Sequence, residues 1–188
     1  MITRYLFVGV VVVVIIQRLL ELRISNTNAA KIIEQGGDEH SDNLLGAVKT
    51  LQVTWWIAMI AEVWIFNRPF IPLLGITSLI LVVLGQLLRY LSMRALEWRW
   101  TLTIMTVPGI DAVHSGPYAY IRHPNWLGVI LEIAFLPLVH SAYLTSFIFS
   151  IANAFLMSKR IQSEEAALTE ANNYKSVLMD KPRFLPGL

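Results

Sequence analysis

Long apolar runs separated by short polar breaks organise this chain. Five runs approach the ~20 mostly apolar residues that a helix needs to cross a hydrocarbon core: Tyr5–Leu22, Leu45–Phe66, Phe70–Met93, Pro124–Val139 and Ala142–Met157. The third is the clearest, since no charge falls between Phe70 and Leu88. The fourth is short and contains Glu132 and Pro137, which predicts a tilted, kinked or bundle-buried helix. The breaks at Asn67-Arg-Pro69 and His140-Ser141 are tight, so helices two and three, and four and five, are expected as antiparallel hairpins. The first connection, Ser25–Asn43, predicts a short surface helix ended by Gly36-Gly37 and followed by an acidic turn. After the fifth run, Ser158–Leu168 continues a helix out of the membrane. The pattern predicts one all-α domain over residues 1–188, a polytopic bundle of about five transmembrane helices with a cytoplasmic C-terminal helix.

Composition sharpens this picture. Hydrophobic residues make up 55% and charged residues 15%, so the bilayer is the solvent for much of the chain. Basic residues set the orientation. Thirteen of the 15, from Arg18 to Arg183, flank one side of the spans, leaving Arg4 and Arg68 on the other. The N-terminus is therefore expected outside and the C-terminus in the cytoplasm. The apolar start lacks a small-residue cleavage site and reads as a retained anchor. With no cysteine, disulfides, thiolate metal sites and a Cys nucleophile are excluded. A net charge of +2, with scattered basic residues, points away from nucleic acid.

The candidate chemistry lies in His114-Ser-Gly-Pro-Tyr-Ala-Tyr-Ile-Arg-His-Pro-Asn-Trp-Leu-Gly128, a polar, aromatic segment wedged between apolar runs. Gly116-Pro117 forces a turn, and Pro124 suits the first position of the fourth helix, where its missing N–H is no loss. The N–H groups and dipole of that helix start favour an anion, and Arg122 can clamp a carboxylate. The plainer reading is that Arg122 and His123 anchor the helix at the headgroups. On the helix after the fifth run, Arg160, Glu164 and Leu168 share one face, whereas Glu165 is rotated about 100° away. Glu132, about two turns into the fourth helix, either faces a substrate tunnel or bonds Gln86 or the backbone inside the bundle. Glu62 reads as structural, and Trp55, Trp56, Trp64, Trp98 and Trp100 as interfacial belt.

Gly116-Pro-Tyr-Ala-Tyr-Ile-Arg-His-Pro-Asn-Trp-Leu-Gly128, then Glu164-Glu165-x-x-Leu168 and Pro182-Arg183, resembles the isoprenylcysteine carboxyl methyltransferase family over at least residues 85–185. Gln17-Arg-Leu-Leu-Glu-Leu-Arg-Ile-Ser25 and Glu62-Val-Trp64 resemble a bacterial branch of it. The resemblance implies a multi-pass membrane methyltransferase that uses S-adenosylmethionine, with the cofactor half at about residues 85–188. Carried over by motif, His114, Gly116, Tyr118, His123, Pro124, Glu164 and Leu168 line or shape the cofactor pocket. Arg122 and His123 become the catalytic candidates, and Trp126 and Glu132 the substrate-side ones. Many members carry Tyr at the position of Trp126, so a phenolic hydroxyl is missing here. Consistently, no strand-Gly-x-Gly-helix unit of a soluble dinucleotide fold is present.

A carboxylate acceptor is already ionised at neutral pH, so alignment rather than proton removal would carry the reaction. A phenol or enol acceptor would draw on His123 or His114 as base. The resemblance leaves the acceptor open between a prenylcysteine carboxylate, a lipidic hydroxyl such as that of an alkylpyrone or alkylresorcinol, and a phospholipid amine. Other readings are an NADPH-dependent sterol-reductase-like protein, which shares a related Arg-His motif but is much longer, and a non-catalytic membrane scaffold. The expected partners are the bilayer and a lipophilic or prenylated-cysteine substrate.

Overall fold

The computed structural model describes residues 1–40 and 43–185. The chain is mostly helical: α1 (Ile2–Glu34), α2 (Leu45–Ile65), α3 (Pro72–Leu96), α4 (Pro124–Phe135), α5 (Tyr143–Ala171) and α6 (Tyr174–Leu178). A two-residue antiparallel pairing, β1 (Asp38–Glu39) with β2 (Met105–Thr106), is the sheet among the described residues. Two helical stretches, Ile2–Glu34 and Pro72–Arg99, are long and apolar enough to cross a membrane, and Pro124–His140 is a shorter apolar stretch.

The short helix expected in the first connection is present, but as the far half of α1 rather than as a separate element, and it ends at Gly36-Gly37 as expected. α1 runs unbroken for 33 residues, about 50 Å at 1.5 Å per residue. It stops where Gly36 takes a φ of +78°, which a side chain would resist. There Gly36 N–H bonds Ile33 O and Gly37 N–H bonds Ile32 O, satisfying the last carbonyls. The helix continues past Leu22 because its far half has a surface to hold. Ser25 Oγ accepts from Leu102 N–H at 2.8 Å, and Asn28 Nδ2 donates to Trp100 O at 2.8 Å. The acidic turn expected next falls partly on residues 41–42, outside the described residues.

Partner choice among the helices follows small residues. A Cβ on Gly85 would lie 3.0 Å from Gly128 O, and one on Gly128 would lie 2.6 Å from Gly85 O. α3 and α4 therefore meet backbone to backbone, the contact that drives association where lipid removes the hydrophobic incentive. α4 also packs on α5, and α5 on α2. The α2–α3 hairpin expected from the tight turn is not a packed pair, because Gly85 gives α3 a closer neighbour in α4. The α4–α5 pair is packed as expected.

A core of Phe7, Val11, Val14, Trp55, Met59, Val63, Val82, Ile133 and Leu136 ties α1, α2, α3 and α4 together. Outward, Val13, Leu73, Ile76, Ile80, Val83, Phe147, Ile151 and Phe155 are exposed, the inside-out pattern of a lipid-facing surface. Two belt assignments fail: Trp55 and Trp100 are buried. Trp55 is held in the helical core, and Trp100 under the far half of α1.

One end of the bundle gathers the start of α1, the end of α2 and the α4–α5 turn. Arg4 Nη2 donates to Asn67 Oδ1 at 3.3 Å, and His140 Nε2 lies 3.2 Å from Thr3 Oγ1. Here Glu62 is structural, as expected. It takes Arg68 Nη2 at 2.8 Å and accepts from Leu144 N–H at 3.1 Å and Thr145 N–H at 2.7 Å, capping α5.

Candidate functional site

The opposite end holds a cavity of about 460 Å³, within the size range of small-molecule sites. Its walls come from all six helices and from the connection between α3 and α4. One part is polar and aromatic, bordered by Tyr118, Arg122, His123, Asn125, Trp126, Glu164 and Tyr174. The other is apolar, bordered by Leu19, Leu22, Leu45, Val48, Leu51 and Trp56.

The local sequence explains how these side chains converge. Gly116 adopts a φ of +58°, and the 3₁₀ turn Gly116–Ala119 brings Tyr118 inward and buries it. Pro124 opens α4 at its first position and is buried. α5 stays helical well past the apolar run, which carries Arg160, Glu164 and Leu168 to the same cavity. A small apolar cluster of Ala112, Tyr174 and Leu178, with Leu168 against it, closes the polar part. Asn173 locks this cluster in place: its Oδ1 accepts from Ala112 N–H at 2.8 Å and its Nδ2 donates to Asp111 Oδ1 at 2.8 Å.

Trp126 answers for the missing phenol. Its Nε1–H donates to Glu164 Oε2 at 3.0 Å, and the Arg160 guanidinium lies 5.1 Å from its ring centroid. An indole N–H thus occupies the donor role that a tyrosine hydroxyl would offer, and Arg160 in turn donates to Leu102 O at 2.6 Å.

The neighbouring carboxylate departs most from expectation. Glu165, placed off the functional face by helix geometry, is buried at the centre of a cationic knot. Its Oε1 lies 2.9 Å from His123 Nε2 and 3.0 Å from Arg122 Nη1, and its Oε2 lies 2.7 Å from Arg183 Nη2. Burial alone would raise the Glu165 carboxyl. The hydrogen bonds from His123 and Arg183 and the His123 and Arg122 charges outweigh it, holding the carboxyl at about 2. The same hydrogen bond raises the Arg183 guanidinium. Burial pushes the Tyr118 phenol far up, helped by the Glu164 charge. It does the same for Tyr174, helped by the Glu165 charge, so both hydroxyls stay protonated.

The C-terminal strap completes this knot. Arg122 N–H bonds Pro182 O at 3.0 Å, His123 N–H bonds Arg183 O at 3.1 Å, and Lys181 Nζ donates to Tyr118 O at 3.0 Å. The N–H groups leading into α4, expected to be open to an anion, are therefore partly closed by the strap.

Of the residues singled out by sequence, Arg122, His123, Tyr118, Trp126, Glu164 and Leu168 border the cavity. Gly116 and Pro124 shape the chain around it. His114 and Glu132 do not border it. His114 is exposed, its Nδ1 3.3 Å from Ala112 O, because the turn at Gly116 follows it and carries Tyr118 inward instead. Glu132 is fully buried between Arg18 and Gln86, the latter donating at 2.9 Å, so the tunnel-facing placement is corrected to the Gln86-bonded one. Sequence reasoning missed Glu165, Asn125 and Tyr174. The first two adjoin Glu164 and Pro124 within the motifs, so adjacency was the available signal; Tyr174 had none.

The profile of the isoprenylcysteine carboxyl methyltransferase family matches residues 78–170. The chain is similar to the uncharacterized protein YpbQ of Bacillus subtilis (strain 168), with 38% identity over 161 residues, 85% of this chain and 95% of that protein. It is also similar to an uncharacterized protein of Haemophilus influenzae, with 26% identity over 153 residues, 81% of this chain and 88% of the other.

Proposed function

The chain belongs to the isoprenylcysteine carboxyl methyltransferase family, and on that premise we propose that it is a membrane-embedded methyltransferase that transfers a methyl group from S-adenosylmethionine to an oxygen of a lipophilic acceptor. The single observation that carries this reading is one cavity whose polar part presents Glu164, Arg122 and His123 while its apolar part runs along α1 and α2. A polar cofactor and a greasy acceptor can meet there without either leaving its own environment.

The residues fit the cofactor. Asn125 Oδ1, Arg122 Nε and Thr103 Oγ1 are buried without a hydrogen-bond partner within the chain, and all three residues border the cavity. Unpaired buried polar atoms are rare unless a ligand satisfies them. Glu164 suits an amine or ribose hydroxyls, and Arg122 a carboxylate, through charge-assisted hydrogen bonds. When bound, the cofactor would supply an electrophilic S-methyl: the acceptor oxygen would bond to that carbon as its bond to sulfur breaks, and the neutral thioether would leave. The chain's part is alignment and exclusion of water. Glu165 and the strap hold Arg122 and His123 in place, while Leu168, Tyr174 and Leu178 wall the polar part.

The same reading places five helices across the bilayer with the cavity end in the cytoplasm. Arg4 and Arg68 lie at the other end, in keeping with the positive-inside rule. The acceptor stays within the classes named from sequence: a prenylcysteine-type carboxylate or a lipidic hydroxyl such as an alkylpyrone's.

The test is to supply radiolabelled S-adenosylmethionine to membranes holding the protein and to identify the labelled lipid or peptide. Purified protein in nanodiscs should also be stabilised by S-adenosylhomocysteine and not by NADPH. Absence of label above membranes lacking the protein, together with no stabilisation by S-adenosylhomocysteine, would overturn the proposal.

A further inference from the structure

Beneath the polar part of the cavity, α1, α3 and α4 share a buried ionic cluster. Arg18 pairs with Glu132 and lies 2.8 Å from Glu21, and Arg89 Nη2 lies 2.5 Å from Glu21 Oε2. Gln17 Nε2 donates to Glu21 at 3.0 Å and to Gln86 at 2.7 Å, and Gln86 donates to Glu132 at 2.9 Å. Arg89 is 1% exposed and Glu132 is 0% exposed. Charges this deep are expensive, and an interhelical amide would suffice as glue, so their presence points to use.

Three features give that use a direction. Arg18, Glu21 and Arg89 border the cavity rather than lying behind its wall. Each arginine also keeps a buried Nε–H with no hydrogen-bond partner within the chain. Finally, six Arg and Lys side chains border the cavity against three carboxylates. Adding Glu132 and Glu165, which pair with that wall from behind, still leaves one positive charge in excess.

Height along α4 separates this cluster from the motif arginine. The Arg89 side chain passes Gly128, where a Cβ would lie 2.5 Å from its Cγ, and Arg18 pairs with Glu132. These contacts lie four and eight residues beyond Pro124, about 6 and 12 Å further into the bundle. Arg122, by contrast, is already held by Glu165 and Met179 Sδ at the cytoplasmic end.

Resting on the methyltransferase reading, we propose that Arg18 and Arg89 form the subsite for the acceptor's reacting group, and that the acceptor is a single-chain lipid ending in an anionic oxygen. Glu21 and Glu132 set the two guanidiniums, whose Nε–H groups are buried and unpaired in the ligand-free chain and turn to a carboxylate or an enolate-type oxygen when it enters. The alkyl chain lies in the apolar part beside Leu19, Leu51 and Trp56. Glu21 and Glu132 are positioning residues; they touch neither ligand.

The experiment compares two probes of equal chain length, dodecylthioacetate and its neutral amide, titrated into the purified full chain in detergent micelles. Each affinity is corrected by that probe's own measured partitioning into protein-free micelles, so that the ratio reports the site. Wild type should prefer the carboxylate by about tenfold, as hydrogen bonds to a charged group imply. The double variant Glu21→Gln/Arg89→Gln, which keeps a hydrogen-bonded pair without charges, should bring the ratio near one. Arg89→Lys keeps the ion pair but loses the Nε–H, and should lower the ratio even if the double variant fails to fold. S-adenosylhomocysteine, titrated in parallel, should bind both with wild-type affinity. No preference in the wild type, or a preference kept in the folded Arg89 variants, overturns the proposal. So does a preference that collapses only in Arg122→Lys. If S-adenosylhomocysteine does not bind wild type while the carboxylate preference stands, the methyltransferase reading fails and the anion subsite does not.

Discussion

Replacing Glu165 by Gln should damage the fold more than any other isosteric change near the cavity. The carboxylate holds His123 at 2.9 Å, Arg122 at 3.0 Å and Arg183 at 2.7 Å, and so ties the start of α4 and the C-terminal strap to α5. Its carboxyl is lowered from 4.5 to about 2, a difference worth roughly 3 kcal/mol at ~1.4 kcal/mol per tenfold. Arg183 is 44% exposed, so water screens part of its share and the loss should be somewhat smaller. A loss of about 2–3 kcal/mol corresponds to a fall in Tm of roughly 5–10 °C for a chain of this size. Because the folded value lies below the ordinary one, this stability is complete above about pH 5. It is lost as pH falls through 4.5 toward about 2. Thermal unfolding in nanodiscs, followed by tryptophan fluorescence, should show wild type losing stability across that acid window and Glu165→Gln losing correspondingly less. An equal Tm for variant and wild type at pH 7, or an unchanged acid window in Glu165→Gln, would refute the keystone role.

The neighbouring positions separate ligand effects from folding effects. Glu164→Gln should leave the ligand-free Tm within about 2 °C of wild type yet weaken S-adenosylhomocysteine binding about tenfold, since a charge-assisted bond is lost; calorimetric titration showing unchanged affinity would remove Glu164 from the site. Gly128→Ala should cost about 1–3 kcal/mol by overpacking, because its Cβ would lie 2.5 Å from Arg89 Cγ and 2.6 Å from Gly85 O, whereas Gly9→Ala, with nothing within 4 Å, should be neutral. Equal Tm values for those two alanine variants would contradict the close α3–α4 approach. A cysteine placed at Ser176 in this cysteine-free chain should react with a membrane-impermeant maleimide only after the cytoplasmic face is opened; labelling in intact cells would reverse the proposed orientation.

Much of this protein is decided by one-dimensional pattern. Lipid rewards apolar length and forbids unpaired backbone, so the apolar runs predicted five helices that start close to where α1 through α5 start. α4 is short, however, and two stretches among the described residues, Ile2–Glu34 and Pro72–Arg99, are long and apolar enough to cross a membrane. Gly116-Pro117 and Pro124 act through their own φ restrictions, so the turn and helix start of the motif could be read without knowing any neighbour. Glu164 and Leu168 were legible too, because spacing of four on a helix fixes a shared face. What needed the tertiary structure was which face meets which partner. Glu165 is rotated off that face, yet the strap and the start of α4 come around to meet it, a convergence of residues 122, 165 and 183 that no local rule contains. Trp100 looked interfacial until the extended α1 covered it. Glu132 carried two readings until Arg18, 114 residues away, supplied its counter-charge. Local sterics and solvent preference act residue by residue and so are written in the sequence, whereas the pairing of buried charges depends on chain segments that meet only after the bundle has closed.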